Sequence, residues 1–302
     1  MQKIKSKLTI FIIVTSLFTL VAQFLPRFSL FDWLYLLLSP FSFSFKIPQV
    51  ISYEAFNLIF RLLFLISGIL YYTSKGKQCS LARFLFSVIL IDRAVRILKF
   101  LLPIIFSFSD FMARRDFSDI LLSLIANVFW AYLSFRVLSF FNTQKKIHLI
   151  IEDYGGDLVN YVVEAKNWQR VFHLIIDSII MLIVFYPLLE TIARIKFLVL
   201  LLDKISLVIG DKALVILIFA SFKLIFYSFF EKIFQSSPAK FITGTRVVNK
   251  SAEMLKFKTI MIRTLSRFVP FDILSFIFAN TGWHDQWSDT LVVKEENIAI
   301  QE

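Results

Sequence analysis

Trp168-Gln169-Arg170-Val171-Phe172-His173-Leu174-Ile175-Ile176-Asp177-Ser178-Ile179-Ile180 opens an apolar run that continues to about Leu189. Such a run is long enough to cross a bilayer as a helix. Arg170 and Asp177 lie about two helical turns apart, so both project from one face, with His173 between them. Charges inside an apolar helix are costly, and they are kept where they face a bundle interior or a wet cavity. This helix is therefore the first place to look for function.

Working outward, the whole chain shares the bias. Of 302 residues, 58% are hydrophobic and 18% charged, whereas a soluble domain sits nearer half and a quarter. One aqueous core cannot hide that much apolar surface. The expected fold is an all-α polytopic membrane helical bundle of about six to eight hydrophobic segments, with a short soluble loop between two halves. Clear spans are expected near Leu8 to Leu25, Ala55 to Tyr72, Ile120 to Phe141, Trp168 to Leu189 and Ala213 to Phe234, with a marginal last one from Thr259 to Ala279. The first is read as a retained helix, because no small-x-small cleavage site follows it. The half-apolar stretch Phe31 to Phe45 is expected in the interface.

Two segments are equivocal. Leu81 to Phe106 carries Asp92, Arg93, Arg96 and Lys99, and the helical spacing of Asp92, Arg96 and Lys99 favours an amphipathic helix in the headgroup region over a polar seam. Leu188 to Ile209 holds Glu190, Arg194, Lys196, Asp203 and Lys204. Between the halves, Lys146 to Glu152 alternates like a short strand and leads to a turn at Asp153-Tyr154-Gly155-Gly156. The division expected is residues 1–145, a polar linker over 146–166, and 167–302 with an acidic tail.

The net charge of +11 does not indicate nucleic acid. Its Lys and Arg flank apolar runs, as topology signals do, and are not gathered on a soluble basic face. Lys3, Lys5 and Lys7 place the N-terminus in the cytoplasm, and the bilayer itself is the expected partner. A protein partner or second copy is not specified. Cys79 is the one cysteine, so no intrachain disulfide forms. The three histidines, His148, His173 and His284, have no metal-ligand spacing, and no metal or cofactor is expected. No phosphate-binding glycine loop or nucleophile elbow is present, and the expectation is a protein that is not an enzyme.

The connector Ser236-Ser237-Pro238-Ala239-Lys240-Phe241-Ile242-Thr243-Gly244-Thr245-Arg246-Val247-Val248 and the tail Trp287-Ser288-Asp289-Thr290-Leu291-Val292-Val293 resemble the RDD family of bacterial membrane proteins. Its pattern is a Pro-Gly-Lys stretch, then Gly-x-Arg-Val-Val, then an Arg-containing helix, matched here by Pro238, Lys240, Gly244, Arg246, Arg263 and Arg267. Ala239 stands where the family usually has Gly. The likeness covers about Asn167 to Lys294 and leaves the first half unassigned.

The family is named for one Arg and two Asp, and the resemblance places these at Arg170, Asp177 and Asp289. It also implies a bacterial inner-membrane location. Two readings stay open. In one, two carboxylates against one guanidinium leave a carboxylate for a proton or small cation, with His173 and Asp285 as relay groups. In the other, Arg170, Asp177 and Asp289 form a structural ion-pair network in an assembly or interaction subunit.

Overall fold

The computed structural model describes residues 2–23, 34–35, 37–41, 53–108, 117–154, 157–269, 272, 275 and 282–297. The chain is predominantly helical, and its apolar runs are its long helices. These are α1 (Gln2–Ala22), α2 (Tyr53–Thr73), α3 (Ser80–Phe106), α4 (Phe117–Asn142), α5 (Asn167–Ile192) and α7 (Asp211–Phe234), with α6 (Lys196–Ile209) before the last. Among the described residues, five stretches are long and apolar enough to cross a membrane: Ile4–Ala22, Glu54–Thr73, Ser118–Asn142, Asn167–Ile192 and one beginning at Asp211. Only 17% to 39% of each is buried by protein, so most of their apolar surface needs lipid. This is a multi-span membrane protein.

The chain divides into two compact units, Met1–Leu138 with Leu182–Val208, and Ser139–Met181 with Ile209–Glu302. In the first unit α1 packs on α2, and α2 on α3. Gly68 permits the α1–α2 approach, since a Cβ there would sit 2.8 Å from Cγ2 of Ile12. Residues 82–91 of α3 are buried all round, and Arg93 and Val95 beyond them. An interfacial helix would bury one face only. The expected headgroup helix is thus corrected: α3 begins as a central element of its unit.

Arg93 Nη1 donates to Asn127 Oδ1 at 2.9 Å, and Nη2 donates to the carbonyls of Ser39 and Pro40, each at 2.8 Å. Trp130 Nε1 donates to the Leu37 carbonyl at 2.8 Å. Arg61 donates to Gln23 Oε1 at 2.7 Å, to the Tyr35 hydroxyl and to the Phe41 carbonyl. Buried side-chain donors thus satisfy carbonyls of residues 37–41 that lie outside regular helix hydrogen bonding. The rest of the expected interfacial stretch, 31–33, 36 and 42–45, lies outside the described residues.

The Leu188 to Ile209 ambiguity resolves into two pieces. Helix α5 runs on through Pro187 to Ile192, and after a turn α6 follows with 14 residues and none buried. That is short of the about 20 residues a span needs.

The second unit adds a small polar layer. Strands β1 (Lys145–Ile147), β5 (Thr290–Asn297) and β4 (Thr245–Asn249) form an antiparallel sheet in the order β1-β5-β4. Thr245 lies opposite Lys294 and Asn249 opposite Thr290. Strands β2 (Leu149–Tyr154) and β3 (Asp157–Val162) make a hairpin, so the expected strand over 146–152 is broken at His148, whose N–H bonds the Lys294 carbonyl. Gly155 and Gly156 of the expected turn lie outside the described residues.

Helix α9 (Phe257–Ser266) has ten residues and then turns. The expected span from Thr259 to Ala279 is corrected in its described part, which is about half the length of a crossing. Most of residues 270–281 lie outside the described residues.

Candidate functional site

The second unit gathers buried charge around two carboxylates. The first is Glu231 in α7, fully buried. Its Oε1 accepts from Lys240 Nζ at 2.8 Å and from Arg267 Nη2 at 2.7 Å, and Arg263 Nε lies 3.4 Å from its Oε2. The second is Asp285 in the short helix α10 (Trp283–Trp287), 1% exposed. Arg170 Nη1 donates to its Oδ2 at 2.6 Å, and Arg263 Nη1 donates to its Oδ1. Arg263 therefore bridges both carboxylates and also bonds the Thr290 hydroxyl at the start of β5.

Local structure explains how these groups meet. Arg263 and Arg267 are one helical turn apart at the end of α9, so both reach the same side. Lys240 sits in α8 (Pro238–Thr243), a six-residue helix with Pro238 at its start, where a missing N–H costs nothing. Gly244 ends it at φ +62°, a left-handed conformation that glycine adopts without strain, and its carbonyl then accepts the Glu295 N–H at 2.8 Å. Arg246 follows in β4 and donates to Glu295 at 2.7 Å across the sheet. The four expected connector residues thus have four separate tasks: start, ion pair, stop and cross-strand pair.

Arg170 is buried and pairs with Asp285, with Glu164 Oε2 at 3.4 Å. Glu164 reaches it because residues 163–165 run along β5, the N–H of Ala165 bonding the Val292 carbonyl. Asp177 does not pair with Arg170. Its Oδ1 accepts the Ala239 N–H at 3.0 Å, satisfying one of the orphan donors at the start of α8 that Ser237 leaves uncapped.

His173 is equally local: Nε2 lies 2.6 Å from Thr243 Oγ1 and 3.3 Å from Thr245 Oγ1. Two helical turns put Arg170 and Asp177 on one face, as the sequence implied, but the two groups serve different partners.

Asp289 stands apart from this group. It occupies the turn before β5 at φ +51°, a left-handed conformation that Asp tolerates better than most residues, and its carboxylate pairs with Lys250 at 2.6 Å. Both members of that pair are well exposed, at 64% and 75%. The expected Arg170–Asp289 pairing is therefore replaced by Arg170–Asp285.

Burial alone would raise the Asp285 carboxyl, but Arg263, His284 and Arg170 outweigh it and hold it down to about 2. Burial lowers the His284 imidazole below its ordinary value, against the pull of Asp272 and Asp285. His284 Nδ1 lies 2.7 Å from Asp272 Oδ2, the geometry of a neutral ring donating to a carboxylate.

These charges border a cavity of about 280 Å³ whose lining includes Arg170, His173, Asp177, Lys223, Lys240, Arg263, Arg267 and Asp272. Its basic character argues against a bare cation as the occupant. Among the described residues no group of three or more His, Cys, Asp or Glu is arranged to hold a metal.

Residues 165–287 match the RDD family. The RDD-matching stretch takes in Arg170, Asp177, Glu231, Lys240, Arg263, Arg267 and Asp285 and stops short of Asp289. No curated protein and no solved structure matches the chain.

Sequence reasoning did not single out Glu231 or Lys223. The signal was present, since each is an ionisable residue on the otherwise apolar helix α7, the pattern that marked Arg170 and Asp177.

Proposed function

We propose that this RDD-matching membrane protein is a non-catalytic assembly or interaction subunit in which the Arg/Asp/Glu group is a structural ion-pair network. The observation that carries this reading is Arg263. It links Glu231 of a spanning helix to Asp285 beside the sheet, with both carboxylates buried. Each carboxylate is held by at least two cations, Glu231 by Lys240, Arg263 and Arg267 and Asp285 by Arg170 and Arg263, which opposes a further cation at the centre of the network. The network ties a polar layer to apolar helices, which suits a rigid docking module. A location in the bacterial inner membrane, with the N-terminus in the cytoplasm, belongs to the same proposal and is supported by the basic flanks of the first spans.

A second reading is exchange of small cations against protons, and Asp177 favours it. Asp177 is 1% exposed, lines the cavity and, among the described residues, has no Lys or Arg nitrogen within 4.0 Å. Asp177→Asn in reconstituted vesicles separates the two. The structural reading expects no cation-driven proton flux in the unsubstituted protein. Flux that disappears in a stably folded Asp177→Asn protein would instead establish exchange.

A further inference from the structure

We propose that the cavity of the second unit binds a singly charged phosphate group, either a lipid phosphodiester or inorganic phosphate. This goes beyond the structural role of the network, because it concerns donor capacity that the network leaves over.

Several buried donors are left over, Arg170 Nε and Arg263 Nε among them, and two on Arg267 and Lys223 carry the proposal. Arg267 Nη2 is committed to Glu231, but its Nη1 is buried and has no acceptor among the described residues, in a side chain 9% exposed. A guanidinium N–H buried without an acceptor forfeits the full cost of its desolvation. Lys223 lies near the middle of α7 and lines the same cavity, and no carboxylate oxygen among the described residues lies within 4.0 Å of its Nζ. Its ammonium stands over the Phe268 ring at 5.1 Å, which weakly offsets the loss of water.

The carboxylates that also line the cavity are occupied elsewhere. Asp177 accepts the Ala239 N–H, and Asp272 is held by His284. Counting the groups in and behind the wall, the five cations Arg170, Lys223, Lys240, Arg263 and Arg267 face the four carboxylates Asp177, Glu231, Asp272 and Asp285. One positive charge is in excess. Glu164 stands outside that wall, 43% exposed, and its ion pair with Arg170 at 3.4 Å offsets the excess only in part.

One excess charge and these two donors suit a monoanion with several acceptor oxygens. Guanidinium and ammonium donors bind phosphate oxygens through charge-assisted hydrogen bonds. The volume, about 280 Å³, holds several times a water's share of roughly 30 Å³, which is room for a phosphate and the first atoms of its ester.

The test uses the full chain purified in neutral detergent. Inorganic phosphate is titrated against chloride at matched ionic strength while thermal unfolding is followed. In parallel, native mass spectrometry measures retention of phosphatidylglycerol against phosphatidylcholine. The expected result is a phosphate-specific rise in unfolding temperature, or selective retention of the anionic lipid. The first outcome identifies free phosphate as sufficient, and the second alone identifies the headgroup as the source.

Lys223→Gln should weaken the effect about tenfold or more, the loss of one charge-assisted hydrogen bond, while Lys223→Arg keeps it. Equal stabilisation by phosphate and chloride with no lipid preference overturns the proposal, and so does an unchanged response in folded Lys223→Gln. Should Lys223→Gln fail to fold, the phosphate and lipid comparisons on the unsubstituted chain decide alone. An intact Arg263 network with no phosphate response would sink the binding site and leave the structural reading standing.

Discussion

Both units bury arginines, and they differ in the acceptors that take the hydrogen bonds. In the first, Arg61 and Arg93 direct hydrogen bonds to amide side chains and to the carbonyls of Ser39, Pro40 and Phe41, and the Asp92 carboxylate stands off at 3.7 Å from Arg93 Nε. In the second, Arg170, Arg263 and Arg267 direct theirs to Asp285 and Glu231. Neutral acceptors let a guanidinium hold irregular backbone together, and losing one leaves a hydrogen bond unmade. Charged acceptors make each partner's burial depend on the other, so losing one strands a charge. The second unit should therefore be the more brittle of the two toward single substitutions.

The sharpest way to break this contrast is Arg263→Met, which takes a cation from two buried carboxylates at once. It should cost about 3–5 kcal/mol, read by denaturant unfolding in micelles. Asn127→Ala in the first unit removes a neutral acceptor from Arg93 and should cost about 1–3 kcal/mol. If Asn127→Ala proves as damaging as Arg263→Met, the distinction between the units fails. Gly68→Ala should cost about 1–3 kcal/mol by pushing on Ile12, a packing effect that leaves both sets of arginines untouched.

Acid should discriminate as well. His284 has a lowered folded-state value, so its contribution is present above the unfolded value near 6.5 and declines as pH falls below it. Asp285 follows the same sign lower down, its contribution present above about 4 and lost as pH falls toward about 2. A melting temperature that rises on acidification from neutrality to pH 5 would contradict the His284 environment. Smallest of all, Asp289→Asn should change stability by less than about 1 kcal/mol, because its pair with Lys250 is exposed.

The membrane spans were legible because apolar runs of crossing length have few other readings. Arg170, Asp177 and the connector Pro238, Lys240, Gly244 and Arg246 were legible as motifs, down to the turn residues. The partner of Arg170 was not. Asp285 and Asp289 are one helical turn apart in sequence, and only the end of α10 at Trp287 and the left-handed turn at Asp289 send them opposite ways. The β4–β5 pairing escaped for a similar reason, since residues 245–249 and 290–297 are far apart in sequence and pattern alone does not pair them. The end of α9 at Ser266 was hidden by apolar residues that continue beyond it.

The central claim is that Arg170 is held by Asp285, and a double-mutant cycle of Arg170→Met and Asp285→Asn, read as unfolding free energy, tests it most directly. Coupling well above about 0.5 kcal/mol is predicted for this pair, with additive behaviour for Arg170→Met and Asp289→Asn. Additivity at Asp285 together with strong coupling at Asp289 would contradict it.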